Sequence, residues 1–141
     1  MKLLFMASDG WKEEAPILSK LLRLLEMSKA RVQQPNATTI IHFDTSQADK
    51  ITDRLAKGMG FFVRSYPREY FERDIHDFSV RERNVNMLNR ETAKGCKGGK
   101  LSMAFLFCYH GDTMYRETVV DLAGFGIPVE LTMITKRKNN A

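Results

Sequence analysis

Four short stretches of the 141-residue chain carry residue types whose spacing could do chemistry. Ser8-Asp9-Gly10-Trp11 lies between an apolar run and a helical pattern. A glycine there lets backbone N–H groups approach a ligand, and the helix N-terminus behind it favours anions. Asp9, Glu13 and Glu14 would repel phosphate, so the same residues also read as a capping turn. Asp44-Thr45-Ser46-Gln47-Ala48-Asp49 offers hydroxyls and carboxylates for a ribose or a base, or an N-cap with a first-turn acid. The third stretch combines Tyr66-Pro67, Tyr70-Phe71 and Arg81-Glu82-Arg83-Asn84-Val85-Asn86-Met87. Arg81 and Asn84 are three apart and share a helix face. An arginine fork suits phosphate or carboxylate, and an asparagine donates and accepts at once. The bland alternative is a solvated charged face. In His110-Gly111-Asp112-Thr113-Met114-Tyr115-Arg116-Glu117-Thr118, Thr113 or Thr118 could cap a helix and Arg116 could hold an anion. Glu117 could act as a general base or bind a hydroxyl.

Other chemistries find less support. His42, His76 and His110 do not fall at a metal-ligand spacing, so no metal and no cofactor are expected. His42 lies in a strand pattern and reads as a core or face residue. No Ser–His–Asp set can be nominated. Cys96 and Cys108 form no disulfide framework and no C-x-x-C pair, which fits a reducing, cytoplasmic compartment. Cys96 sits in a basic loop, where a reactive thiol is conceivable but an incidental exposed cysteine is simpler. No apolar run approaches the roughly 20 residues of a membrane span. The opening MKLLFMASDGW is too short an apolar run for a signal peptide.

The elements that must position these loops alternate along the chain. Residues 2–7 (KLLFMA), 38–43 (TTIIHF), 61–66 (FFVRSY), 101–108 (LSMAFLFC) and 127–134 (IPVELTMI) read as strands. Helices are expected from Glu13 through the Leu-rich segment, and over 47–57, 79–92 and 115–124. Glycines close several of them. Such alternation predicts an α/β fold, a Rossmann-like three-layer α/β/α with a mainly parallel five-stranded sheet in the order 3-2-1-4-5. The switch point then falls between strands one and four, and ligands bind at the carboxyl ends there. One domain spans 1–141, with a basic tail over 135–141. A chain this long buries roughly two-thirds of its unfolded surface, enough without a disulfide or metal.

The net charge of +5 invites a nucleic-acid reading. Residues 84–100 hold four basic residues against one acidic, residues 101–135 one against four, and 136–141 three against none. The basic excess therefore lies in the Lys94–Lys100 loop and the tail, both expected away from the cleft. Neither interleaves aromatics as a single-strand groove would, so nucleic acid is not the favoured partner.

In order, Ala48-Asp49 with Leu55-Ala56-Lys57-Gly58, then Arg83-Asn84-x-x-Met87, then Asp112 to Thr118 with Ala123 and Gly126-Ile127-Pro128-Val129, resemble the YspA-type branch of the SLOG superfamily. These Rossmann-like domains are related to the LOG phosphoribohydrolases and the DNA-processing protein DprA. The resemblance covers about residues 3–131. It implies a nucleotide or nucleotide-derived ligand, in a sensor, sequestering or carrier role, and a homodimer or higher homo-oligomer. It nominates Ser8, Asp9, Asp44, Thr45, Ser46, Arg81, Arg83, Asn84, Asp112, Arg116 and Thr118 as contacts. Three loops depart from the family. Ala7-Ser8-Asp9 stands where Gly-Ser-Arg is usual, Asp44-Thr45-Ser46-Gln47 where glycines are usual, and Glu117-Thr118 where Gly-Thr is usual. Glycines let a backbone approach phosphate closely, so these side chains argue for a different mode of holding the ligand. Two alternatives follow. One is an N-glycosidic-bond hydrolase with Glu117 as its catalytic carboxylate and Arg83 or Arg116 as phosphate anchor. The other is a phage or mobile-element interaction protein with a vestigial cleft, contacting partners through segment 66–83 and the tail.

Overall fold

The computed structural model describes residues 1–44, 46–67 and 80–136, apart from the side chains of Val80, Arg81 and Met114. Their strands are β1 (Lys2–Ala7), β2 (Thr39–His42), β3 (Phe62–Ser65), β4 (Leu101–Tyr109) and β5 (Val129–Ile134). Helices α1 (Glu14–Ala30), α2 (Gln47–Gly58), α3 (Val80–Thr92) and α4 (Met114–Gly124) connect them, with one 3₁₀ turn at Pro35–Ala37. All four strand pairings are parallel, in the order β3-β2-β1-β4-β5. The expected Rossmann-like architecture and strand order are therefore present.

Burial explains why the strands were readable. A parallel sheet is covered on both faces, so its central strands are nearly continuous apolar runs. Five of the six β1 residues are buried, and β4 is buried from Ala104 to Tyr109. Alternate residues divide between two cores. Leu3, Phe5, Ile40, Phe105 and Phe107 meet Ile17, Leu21 and Leu24 of α1 and Ala48, Ile51 and Ala56 of α2. Leu4, Met6, Ile41, Ala104 and Leu106 meet Met87 and Leu88 of α3 and Leu122 of α4. The chain winds outward from β1 to β3, then returns to β4 beside β1, which places the two helix pairs on opposite faces.

Three sequence expectations change in detail. The last strand starts at Val129 rather than residue 127, because Pro128 has no N–H for the ladder; its carbonyl still accepts from Ala104 N–H at 2.9 Å. Neither Thr113 nor Thr118 caps α4 through its side chain. Thr113 stands at the N-cap without a side-chain bond, and Thr118 is buried inside the helix. The tail also begins elsewhere than expected. Lys136 Nζ lies 5.6 Å from the ring centre of Tyr109, at the carboxyl end of β4, so the start of the basic tail is beside the cleft end. Residues 137–141 lie outside the described part.

The opposite end of the sheet is closed by a buried ionic cluster. Lys2 is fully buried, with Nζ 3.3 Å from Glu91 Oε2 and donating to Lys97 O at 3.1 Å. Glu91 also accepts from Arg64 Nη1 at 2.8 Å and from the Tyr66 hydroxyl at 2.9 Å. These bonds tie β1, β3, the end of α3 and the glycine-rich basic loop together. That loop is thus held away from the cleft, as its sequence position implied. Cys96 in the loop is half-buried rather than exposed, and its thiol donates to Gly99 O at 2.9 Å.

Candidate functional site

At the carboxyl ends of β1, β2 and β4 the chain leaves the sheet through loops that are pinned individually. The loop after β1 is held by Ser8, which is buried. Ser8 N–H donates to Phe107 O at 2.8 Å, Ser8 Oγ accepts from Tyr109 N–H at 3.3 Å, and Ser8 O accepts from Trp11 N–H at 3.1 Å. Trp11 is buried against Phe107 and Tyr109, and its indole N–H donates to Glu13 O at 2.7 Å. The Tyr109 hydroxyl donates to the Glu13 carboxylate and accepts from Lys12 N–H at 3.1 Å. Glu13 therefore anchors this turn, while Asp9 stays exposed at its tip.

The loop after β2 is held by a relay reaching back into α2. His42 Nδ1 accepts from Asp44 N–H at 3.1 Å, so the ring proton sits on Nε2, which donates to Asp53 Oδ1 at 2.9 Å. Lys57 Nζ lies 2.9 Å from Asp53 Oδ2. The relay supports Asp44 in a left-handed backbone, φ 54°, which Asp tolerates better than most residues. Ser46 is then the N-cap of α2 in a reciprocal capping box with Asp49. Asp49 N–H donates to Ser46 Oγ and Ser46 N–H donates to Asp49 Oδ2, both at 3.2 Å. Thr45 lies outside the described residues.

Burial pushes the Asp53 carboxyl up, but hydrogen bonds from Lys57 and His42 outweigh it and hold the group below the usual carboxylate range. A carboxyl lowered on folding stabilises the fold above its unfolded pKa, and that contribution fades as pH falls through the folded value. Asp53→Asn is therefore expected to lower the urea midpoint at neutral pH, with the gap closing below about pH 4. A gap unchanged across that range would show that the carboxylate's charge contributes nothing.

The third component is Arg83. Its guanidinium carbon lies 4.1 Å from the ring centre of Phe43, the residue that follows β2. Burial lowers the Arg83 pKa, opposed by the charges of Asp49 and Asp9. An arginine remains cationic under such a shift. Asn84 is 4% exposed, and its buried Oδ1 accepts no hydrogen bond among the described residues. It lies one turn before Met87 and Leu88 on the sheet-facing side of α3, at the end of that helix nearer Phe43.

The sequence candidates thus separate into groups. Arg83 meets Phe43 at the end of β2 and feels the charges of Asp49 and Asp9, with Asn84 next to it in α3. Thr118 lines a small hollow between α4 and the ends of β1 and β4 with Met6, Ala7, Leu106, Cys108 and Tyr115. This hollow measures about 10 Å³, room for one water molecule. Burial raises the Cys108 thiol pKa, against a hydrogen bond with Ser8 and with a smaller contribution from the Asp112 charge. Arg116 and Glu117 are exposed on the first turn of α4, on the flank that also carries exposed Val120. The Arg81 side chain, His76 and residues 68–79 lie outside the described part. Phe43, His42 and Asp53 were not nominated from sequence as site residues, and Asp49 only as the end of the Asp44–Asp49 stretch. The capping spacing Ser46-x-x-Asp49 was the one local signal available. Among the described residues no group of three or more His, Cys, Asp or Glu could hold a metal, and no helix is long and apolar enough to cross a membrane. Comparison of the chain with protein-family models, curated proteins and solved structures finds no match.

Proposed function

We propose that the chain binds a nucleotide or nucleotide-derived small molecule over the carboxyl ends of β1, β2 and β4. The observation that carries this reading is the partly buried Arg83 guanidinium, 4.1 Å from the ring centre of Phe43 at the end of β2. Its planar fork is the group that would meet an anionic part of the ligand, in competition with the charges of Asp49 and Asp9. Asp9 and Asp44, exposed on adjacent loops, would accept ribose hydroxyls. The parallel switch-point topology supports the same location. Side chains, rather than glycine backbone, then do most of the holding, in keeping with the three loops that differ from the SLOG pattern. Because the hollow beside β1 and β4 has room only for a water molecule, the proposed ligand would rest above the strand ends.

Calorimetry of the folded protein with AMP, ADP-ribose, a nucleotide sugar and a cyclic dinucleotide tests this reading. Saturable heat with at least one of them is expected. Silence across the panel would overturn it.

A further inference from the structure

A second concavity lies at the other end of the sheet, between α1 and the first residues of β1, β4 and β5. Its volume is about 330 Å³, within the few-hundred-Å³ range of small-molecule sites. Leu3, Leu24, Met27, Met103 and Phe105 form its walls, and Met1 forms a lip. Met1 and Met27 are both exposed. Thioether side chains of this kind adapt to irregular apolar ligands.

The floor is shaped by a break in the β1–β4 ladder. Lys2 pairs with Leu101 but Leu3 pairs with Met103, leaving Ser102 as an extra residue. Bulges are rare in parallel pairs, and they re-aim side chains. Leu101 belongs to the core under α3 and α4, and Met103 packs against the core under α1 and α2. The extra residue lets Ser102 and Met103, though consecutive, both line the groove. A hydroxyl thus enters an otherwise apolar floor.

The charged side chains of the lining, Lys20, Arg23 and Glu130, lie together, and the Met1 ammonium donates to Ala37 O at 2.9 Å. Lys20 Nζ lies 2.6 Å from Glu130 Oε2 and 5.4 Å from the Phe105 ring centre. Arg23 Nη1 lies 3.8 Å from Glu130 Oε1, and its side chain is 69% exposed. Two cations share one carboxylate, so this rim has positive charge to offer an anion. A stable protein partner needs about 800 Å² on each side. This groove is short and concave, with polar groups at one end, and fits a small amphiphile better.

We infer that this groove binds a small monocarboxylate with an apolar body, its carboxylate on Arg23 and Lys20 and its chain against the methionines. Methyl-labelled methionine NMR with decanoate, below its micellar concentration, tests this. The Met1, Met27 and Met103 signals are expected to shift saturably, while Met6 and Met87 in the other core stay in place. Arg23→Glu should weaken decanoate at least roughly tenfold, the scale of one charged hydrogen bond. Ser102→Trp should block it, with unchanged Met6 and Met87 signals certifying the fold. No saturable shift, an equal response to decylamine, or shifts reaching Met87 would overturn the inference. Concentration-dependent shifts of the groove methionines without any additive would also overturn it, by assigning the groove to a second copy of the chain.

Discussion

Glu91→Ala is expected to destabilise the fold by about 3–5 kcal/mol, a large share of the roughly 5–15 kcal/mol available to a domain. Glu91 is 2% exposed and is the one carboxylate facing the fully buried Lys2 ammonium among the described residues. It also accepts from Arg64 and from the Tyr66 hydroxyl. Removing it leaves an ammonium in a low-dielectric site with the Lys97 carbonyl and the Cys96 sulfur as remaining partners. Arg64 is partly exposed and can turn to water, so the cost falls mainly on Lys2. The double replacement Lys2→Met with Glu91→Leu should recover most of the loss, since apolar groups of similar size often substitute for a buried pair. Tyr66 provides a second readout. Burial, with the hydrogen bond and charge of Glu91, pushes its phenol up to about 12. In Glu91→Gln the phenol should ionise closer to the ordinary value near 10. Urea unfolding and alkaline absorbance titration measure both effects. A loss under about 1 kcal/mol, the scale of an exposed ion pair, would contradict the assignment.

Arg83→Met is expected to weaken the nucleotide-class ligand by about 30-fold or more, the scale of removing one partner from a desolvated charge pair. Methionine keeps much of the stem but removes the fork and its contact with the Phe43 ring. Asp49 retains its capping box and Asp9 remains in water, so neither of these carboxylates is stranded. Arg116→Met on exposed α4 should change binding much less if Arg83 is the principal anion anchor. Calorimetry on both variants, with circular dichroism to confirm folding, makes the comparison. Equal losses, or a loss confined to Arg116, would move the anion site to α4.

The sheet was legible because a doubly wound parallel sheet writes itself as apolar runs separated by amphipathic helices. KLLFMA and LSMAFLFC announce the central strands, and their alternation with helices determines the expected order. Residues carrying long-range partnerships were harder to read. Lys2 looks like a strand-opening lysine, yet its partner Glu91 is on α3, far along the chain. His42 reads as a strand residue, and nothing local reveals that it links Asp44 to Asp53. Asn84 was read from its type and its spacing from Arg81, and Arg83 from the resemblance, but Phe43 under the guanidinium depends on how α3 crosses the end of β2. The Ser102 bulge leaves no mark in an apolar strand pattern. The tail was misplaced because charge partition along the sequence says nothing of where β5 ends.

Backbone amide NMR of the wild-type chain titrated with the panel ligand that gives the strongest heat tests the account most directly. The predicted result is saturable shifts concentrated in Ser8–Lys12, Asp44–Asp49 and Arg83–Asn84, and absent from the Lys94–Lys100 loop. Shifts confined to that basic loop, or scattered over the surface without saturation, would contradict a ligand site at the carboxyl ends of β1, β2 and β4.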